Sequence, residues 1–226
     1  MNITYQTTNR VLFFGVMGSG QAYLNLLYVL VAFPLGLFYF VYLVSGLSLG
    51  ISLSIIWVGV PLLLLVGAGW WMMASFERYM AIHMLKEDVP EMAIPANPNY
   101  DLWTRFKAYF TNPVTWKSLI YLFIKFPLGM ATFVILSVMV PLTLGLLAMP
   151  FIYENVQLFQ GISFGVGVWE INSLAEALLA SLVGLILWPV TLHVSNGLAW
   201  VYAKFSKLML GNEPFMKFTP IIETKE

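Results

Sequence analysis

LYVLVAFPLGLFYFVYLVSG, residues 27–46, carries no charged side chain and is long enough as a helix to cross a hydrocarbon core about 30 Å thick. It also holds a proline at 34, a poor residue for a helix interior. The same tetrapeptide, FPLG, returns at residues 126–129 inside a second apolar run. Working outward, four segments have this character: residues 23–47, 51–80, 119–149 and 174–201. The chain has 226 residues, 60% of them hydrophobic and 10% charged, with a mean hydropathy of +0.82. Soluble domains are nearer half apolar and a quarter charged. The fold class is therefore all-α integral membrane, with four transmembrane helices in two hairpins. A tight Ser48–Leu49–Gly50 link is expected within the first hairpin and a loop over 150–173 within the second.

Orientation follows from the basic residues. Arg10, Arg78, Lys86, Arg105, Lys107, Lys117, Lys125, Lys204, Lys207, Lys217 and Lys225 all fall on the side of the N-terminus, central loop and C-terminus. The positive-inside rule then puts both termini in the cytoplasm of a cell membrane. Residues 1–22 read as an interfacial segment rather than a cleaved signal, because the apolar core behind Arg10 is short. The four-helix domain covers 23–210, as hairpins 23–85 and 113–210 joined by a cytoplasmic loop at 86–112. Residues 211–226 form a tail.

Composition also excludes classes. Net charge is zero, so no field points to nucleic acid. There is no cysteine, which removes disulfides, thiolate metal sites and cysteine nucleophiles. Neither a cofactor nor a metal is implied, since the two histidines lack companions at ligand spacing. Within the bilayer partner, Trp116, Trp169, Trp188 and Trp200 are candidate interfacial anchors. Asn112–Pro113 reads as an N-cap followed by proline at the first helical position. Ser173 and Glu176 have capping-box spacing. DLWTRFKAYF, residues 101–110, puts Leu102, Trp103, Phe106, Tyr109 and Phe110 on one face, as a surface amphipathic helix or a docking surface would. In the outer loop, Ile162, Phe164, Val166 and Val168 alternate with small residues like a short strand, with Glu154 and Glu170 as its charges.

Aligning the two FPLG copies also aligns Tyr28 with Tyr121, Phe40–Val41 with Phe133–Val134 and Leu49 with Leu142. Each second helix carries a proline, Pro61 and Pro189, which join Pro34 and Pro127 as candidate kink or packing positions. This is a duplicated hairpin with both copies entering from the cytoplasm, a parallel rather than inverted repeat. Pro34 and Pro127 are expected to bend their helices, with Gly36 and Gly129 letting a neighbour approach the bend. Gly46 and Gly50 have small-xxx-small spacing, a dimerisation signal weakened by its place at a span end.

The FPLG helix, the GLSLG link, a proline-bearing second span ending in ERY and the run NPVTWKSLIYLFIKFPLG together resemble the putative sensor domain of bacterial and archaeal membrane proteins. The resemblance spans roughly residues 23–211. It implies a four-helix membrane module often placed ahead of a histidine kinase. Only GNEPFMKFTPIIETKE follows Leu210 and no kinase motif lies in it, so readout by a separate cytoplasmic or membrane signalling partner is the expectation.

Four residues are candidate ligand-binding or switch groups. His193 and Asn196 share a helix face with Pro189 and Trp200, as a proton- or ligand-responsive pocket or as a helix–helix hydrogen bond would require. His83 suits an interfacial role. Lys125 replaces Ala32 of the first copy; it either snorkels to the interface or pairs with Glu77. The function expected is a non-enzymatic sensor-like module. The alternative is a subunit of a small transporter or channel that oligomerises, as homo-oligomers do, around a midplane polar site. A lipid-acting enzyme lacks a residue constellation.

Overall fold

The computed structural model describes residues 13–92, 111–153, 171 and 173–211. The amphipathic stretch 101–110 and the outer loop 154–170, with Trp169, Glu154 and Glu170, lie outside the described residues. Four long helices follow a short 3-10 turn at Gly15–Gly18: α1 (Gly20–Leu53), α2 (Gly59–His83), α3 (Pro113–Ile152) and α4 (Leu174–Leu210). All four are long and apolar enough to cross a membrane, and no strand is present among the described residues. At 34 and 40 residues, α1 and α3 are about 51 and 60 Å long. Both exceed the hydrocarbon core, so they must lean or run past it.

Two helix starts form as the sequence dictates. The Asn112 side chain accepts the Val114 backbone N–H at 3.0 Å, capping α3 at its Pro113. Ser173 and Glu176 cap α4 reciprocally, at 3.3 and 3.2 Å. We expect Asn112→Ala to lower stability by about 1 kcal/mol, read as a drop in the unfolding midpoint in detergent. An unchanged midpoint would show that the start of α3 is held by packing alone.

The hairpin turn is not where the glycines suggested. Helix α1 continues through Ser48–Leu49–Gly50 to Leu53, and a 3-10 turn at Ser54–Ile56 reverses the chain. Trp57 closes that turn in the left-handed region at φ 64°. The reason is packing. A Cβ on Gly46 would lie 2.7 Å from Val66 Cγ2, and one on Gly50 would overlap Leu63. These glycines admit the side chains of α2, their own hairpin partner, and so need not make a turn. Pro61 also needs correction as a kink. It is the third residue of α2, in the first turn, where a missing N–H removes no helix hydrogen bond. Pro34, Pro127 and Pro189 do lie inside their helices, as do Pro141 and Pro150.

The chain divides into two compact units. One holds the described residues up to Phe38 and those from Lys125 to Val201; the other holds Tyr39–Ile124 and the residues from Tyr202. In the first unit the two FPLG copies cross reciprocally. A Cβ on Gly36 would lie 2.9 Å from the Lys125 carbonyl oxygen and 3.0 Å from Phe126 Cα. One on Gly129 would lie 2.9 Å from Phe33 Cα and 3.0 Å from the Ala32 carbonyl oxygen. Phe33 stacks on Phe133 with ring centroids 4.9 Å apart. Gly36 thus meets the start of the second copy and Gly129 the start of the first, so each copy's glycine seats the backbone that opens the other copy. Two long helices leaning opposite ways cross in this manner.

Further along this unit, α3 and α4 pack as an antiparallel pair, with Thr143 and Thr191 hydroxyls 3.1 Å apart. Met149, Ala177 and Ala180 form a cluster at its far end, covered by Leu146, Tyr153 and Ile171. The 3-10 segment is tied to α1 by Tyr23, whose hydroxyl donates to the Met17 carbonyl at 3.0 Å.

Candidate functional site

In the second unit, α2 buries a stripe of Val66, Trp70, Ala74, Glu77 and Ala81, one face at helical spacing. Four of these are ordinary packing residues. Glu77 is not, and it is fully buried. A buried carboxylate is costly unless hydrogen-bonded, and Glu77 is well supplied. Tyr39 of α1 donates to one of its oxygens at 2.8 Å, and Tyr121 of α3 to the other at 3.1 Å. The Tyr121 hydroxyl is also 2.9 Å from the Ser206 hydroxyl of α4, and Phe205 stacks on its ring. Two turns back along α2, the Trp70 indole donates to Ser118 at 3.0 Å, and Ser118 to the Thr115 carbonyl at 2.7 Å. One carboxylate therefore gathers hydroxyls from α1 and α3 directly and, through Tyr121, from α4.

Lys125, in the first unit, is 1% exposed. It does not snorkel. Its ammonium lies 5.1 Å from the Tyr28 ring centroid and 3.4 Å from that phenol oxygen, a cation–π placement that suits a charge removed from water. Tyr28 is itself fully buried. Glu77 and Lys125 fall in different units, so the pair considered for them stays an expectation.

His193 and Asn196 are not brought into one pocket. His193 is exposed; its Nδ1 is 2.9 Å from the Pro189 carbonyl, and Phe13 stacks on its ring. Asn196 is half-buried and accepts from the Asn25 amide at 2.9 Å, while Gln21 donates to Asn25. Asn196 thus makes the helix–helix hydrogen bond that was one of its two readings. Trp200 is exposed, as is Trp116. Trp188 donates to the Tyr23 hydroxyl at 3.4 Å. His83 places Nδ1 2.9 Å from its own Tyr79 carbonyl and stacks on Tyr79.

The sequence did not single out Tyr39, Ser206 or Asn25. Tyr121 was matched to Tyr28 as a repeat position, without a role. Among the described residues no group of three or more His, Cys, Asp or Glu could hold a metal ion.

The family model described as "Putative sensor" matches residues 28–210, from the buried Tyr28 to the end of α4. The chain belongs to this sensor family. The match takes in both FPLG copies, Glu77, Lys125 and the three tyrosines of the buried polar contacts. No curated protein and no solved structure matches the chain. The sensor is a multi-pass membrane protein by its four apolar helices, and its family fits a role in sensing rather than catalysis.

Proposed function

We propose that this sensor lies in the cell membrane with both termini in the cytoplasm, and that it relays a signal to a separate protein without catalysis of its own. The observation that carries the proposal is the Glu77 cluster. Its hydroxyl partners come from α1, α3 and, through Tyr121, α4. A stimulus that shifts one helix must break or re-form hydrogen bonds to the others, because a buried carboxylate tolerates no lost partner cheaply. Such a cluster favours discrete helix arrangements over gradual ones, as a switch requires. The segments placed to carry the output are the central loop after α2 and the chain after α4.

Crosslinking followed by affinity purification of the full chain from native membranes tests this. The control carries a replaced central loop (86–112) and a replaced tail (211–226). We expect capture of a kinase, regulator or transporter that is lost in the control. Recovery of self-oligomers alone would overturn the relay and favour an oligomeric transport subunit.

A further inference from the structure

The chain leaving α2 does not run free. Lys86 takes the left-handed region at φ 54°, uncommon for a side chain with a Cβ, and turns residues 84–92 back across the bundle end. Arg78 of α2 clamps the returning backbone, its Nε donating to the carbonyls of Val89 at 3.1 Å and Pro90 at 2.9 Å. Val89 is 1% exposed. Pro90 fits against Gly211, just past α4, where a Cβ would lie 3.1 Å from its ring. Glu87 completes the contact, accepting from Lys204 at 3.0 Å and lying 3.4 Å from Lys207. These lysines occupy the last turns of α4, where cations also complement the helix dipole.

We infer that residues 84–92 form a charge latch, in which Glu87 on Lys204 and Lys207 locks the start of the central loop to the end of α4. Closed, it makes the two cytoplasmic output segments one body; open, it lets them move apart. Only this purpose rests on the sensor reading. The two kinds of attachment have different strengths. The Arg78 clamp, with the Glu87 backbone N–H on the Ala81 carbonyl at 3.3 Å, ties the strap to its own helix α2, so that what opens is its contact with α4. The ion pair is partly exposed, with Lys204 51% and Lys207 39% open to solvent, so it holds weakly and yields to salt or to a competing anion.

Burial alone would raise the Glu87 carboxyl, but the hydrogen bond and charge of Lys204, then those of Lys207, outweigh it and hold the group below its usual range. A carboxyl lowered in the folded state stabilises above its ordinary value, near pH 4–4.5, and that contribution is lost as pH falls through the lowered value. Around neutrality Glu87 stays ionised. The latch therefore answers to ionic strength and competing anions, not to physiological pH.

The cysteine-free chain permits a direct test. Asp88→Cys on the strap and Leu208→Cys on α4, both exposed positions, would carry spin labels on the full chain in lipid nanodiscs. We expect one short distance population at low salt. Glu87→Gln, or roughly 1 M salt, should raise a longer population about two- to fivefold. The charge swap Glu87→Lys with Lys204→Glu and Lys207→Glu should restore the short one. A distribution unchanged by Glu87→Gln and by salt would overturn the latch, as would a swap that leaves the strap open. Tryptophan fluorescence at unfolding checks that each variant is folded. The distance needs no partner, so a failed partner capture leaves this result standing.

Discussion

Gly36→Ala and Gly129→Ala are each expected to destabilise the protein by about 1–3 kcal/mol, the range for overfilling a packed contact. At both positions the new methyl would meet backbone, within 2.9–3.1 Å of the Lys125 carbonyl and Phe126 Cα or of the Ala32 carbonyl and Phe33 Cα. Backbone cannot rotate aside as a side chain tip can, so the helices themselves must separate. Gly67→Ala and Gly145→Ala are the controls. A Cβ at either meets nothing within 4 Å, and exchanging glycine for alanine in a helix then favours the fold by up to about 1 kcal/mol. Reversible unfolding in mixed micelles, followed by tryptophan fluorescence, reads all four. The Gly36/Gly129 double variant should fall short of the sum, because one separation relieves both contacts. Equal midpoints for Gly36→Ala and Gly145→Ala would mean the crossing is looser than its geometry states.

That crossing shows how far the sequence can be read. The four helices were legible because apolar runs longer than a bilayer leave few alternatives. The FPLG repeat was legible as a repeat, and its glycines as points of close approach. The direction of approach was not, since a matched motif carries no information about which residue of its copy it meets. Gly50 was read into a turn, and Gly46 with Gly50 as a weak dimerisation signal, because glycine near a span end serves turns and packing alike; only Val66 and Leu63 opposite them decide. Pro61 was matched to Pro189 by sequence, yet one opens a helix and the other sits within one.

The candidate residues follow the same division. Spacing placed His193 and Asn196 on a shared arc, but periodicity does not say which edge of the arc turns inward. Lys125 was expected to snorkel or to pair with Glu77, and the sequence could not show its burial, because snorkelling is decided by the neighbours that enclose the side chain. Tyr28 encloses it. Glu77 was named only as a possible partner for Lys125, while its hydrogen-bond partner Tyr39 had no signal beyond being an aromatic residue among many.

Replacing Glu77 should have the largest effect of any single change in that cluster. Glu77→Ala removes the acceptor used by Tyr39 and Tyr121 and leaves a cavity at a fully buried position. Each buried hydroxyl deprived of an acceptor costs about 1–3 kcal/mol, so a loss of about 3 kcal/mol or more is expected. Tyr121 retains Ser206, which keeps the figure below two full penalties. Glu77→Gln preserves the shape and one carbonyl oxygen, and should lose about half as much. Tyr39→Phe, which removes one donor and strands nothing on its own side, should lose about 1 kcal/mol. This ordering, Ala worse than Gln worse than Phe, is what a hydrogen-bonded carboxylate requires. If Glu77→Gln were neutral, the charge itself would contribute nothing to folding. The carboxylate would then be free to change its state without unmaking the bundle, which is what a sensing group needs. A large loss in Glu77→Gln would instead make Glu77 the fixed pin about which the helices of its unit are held.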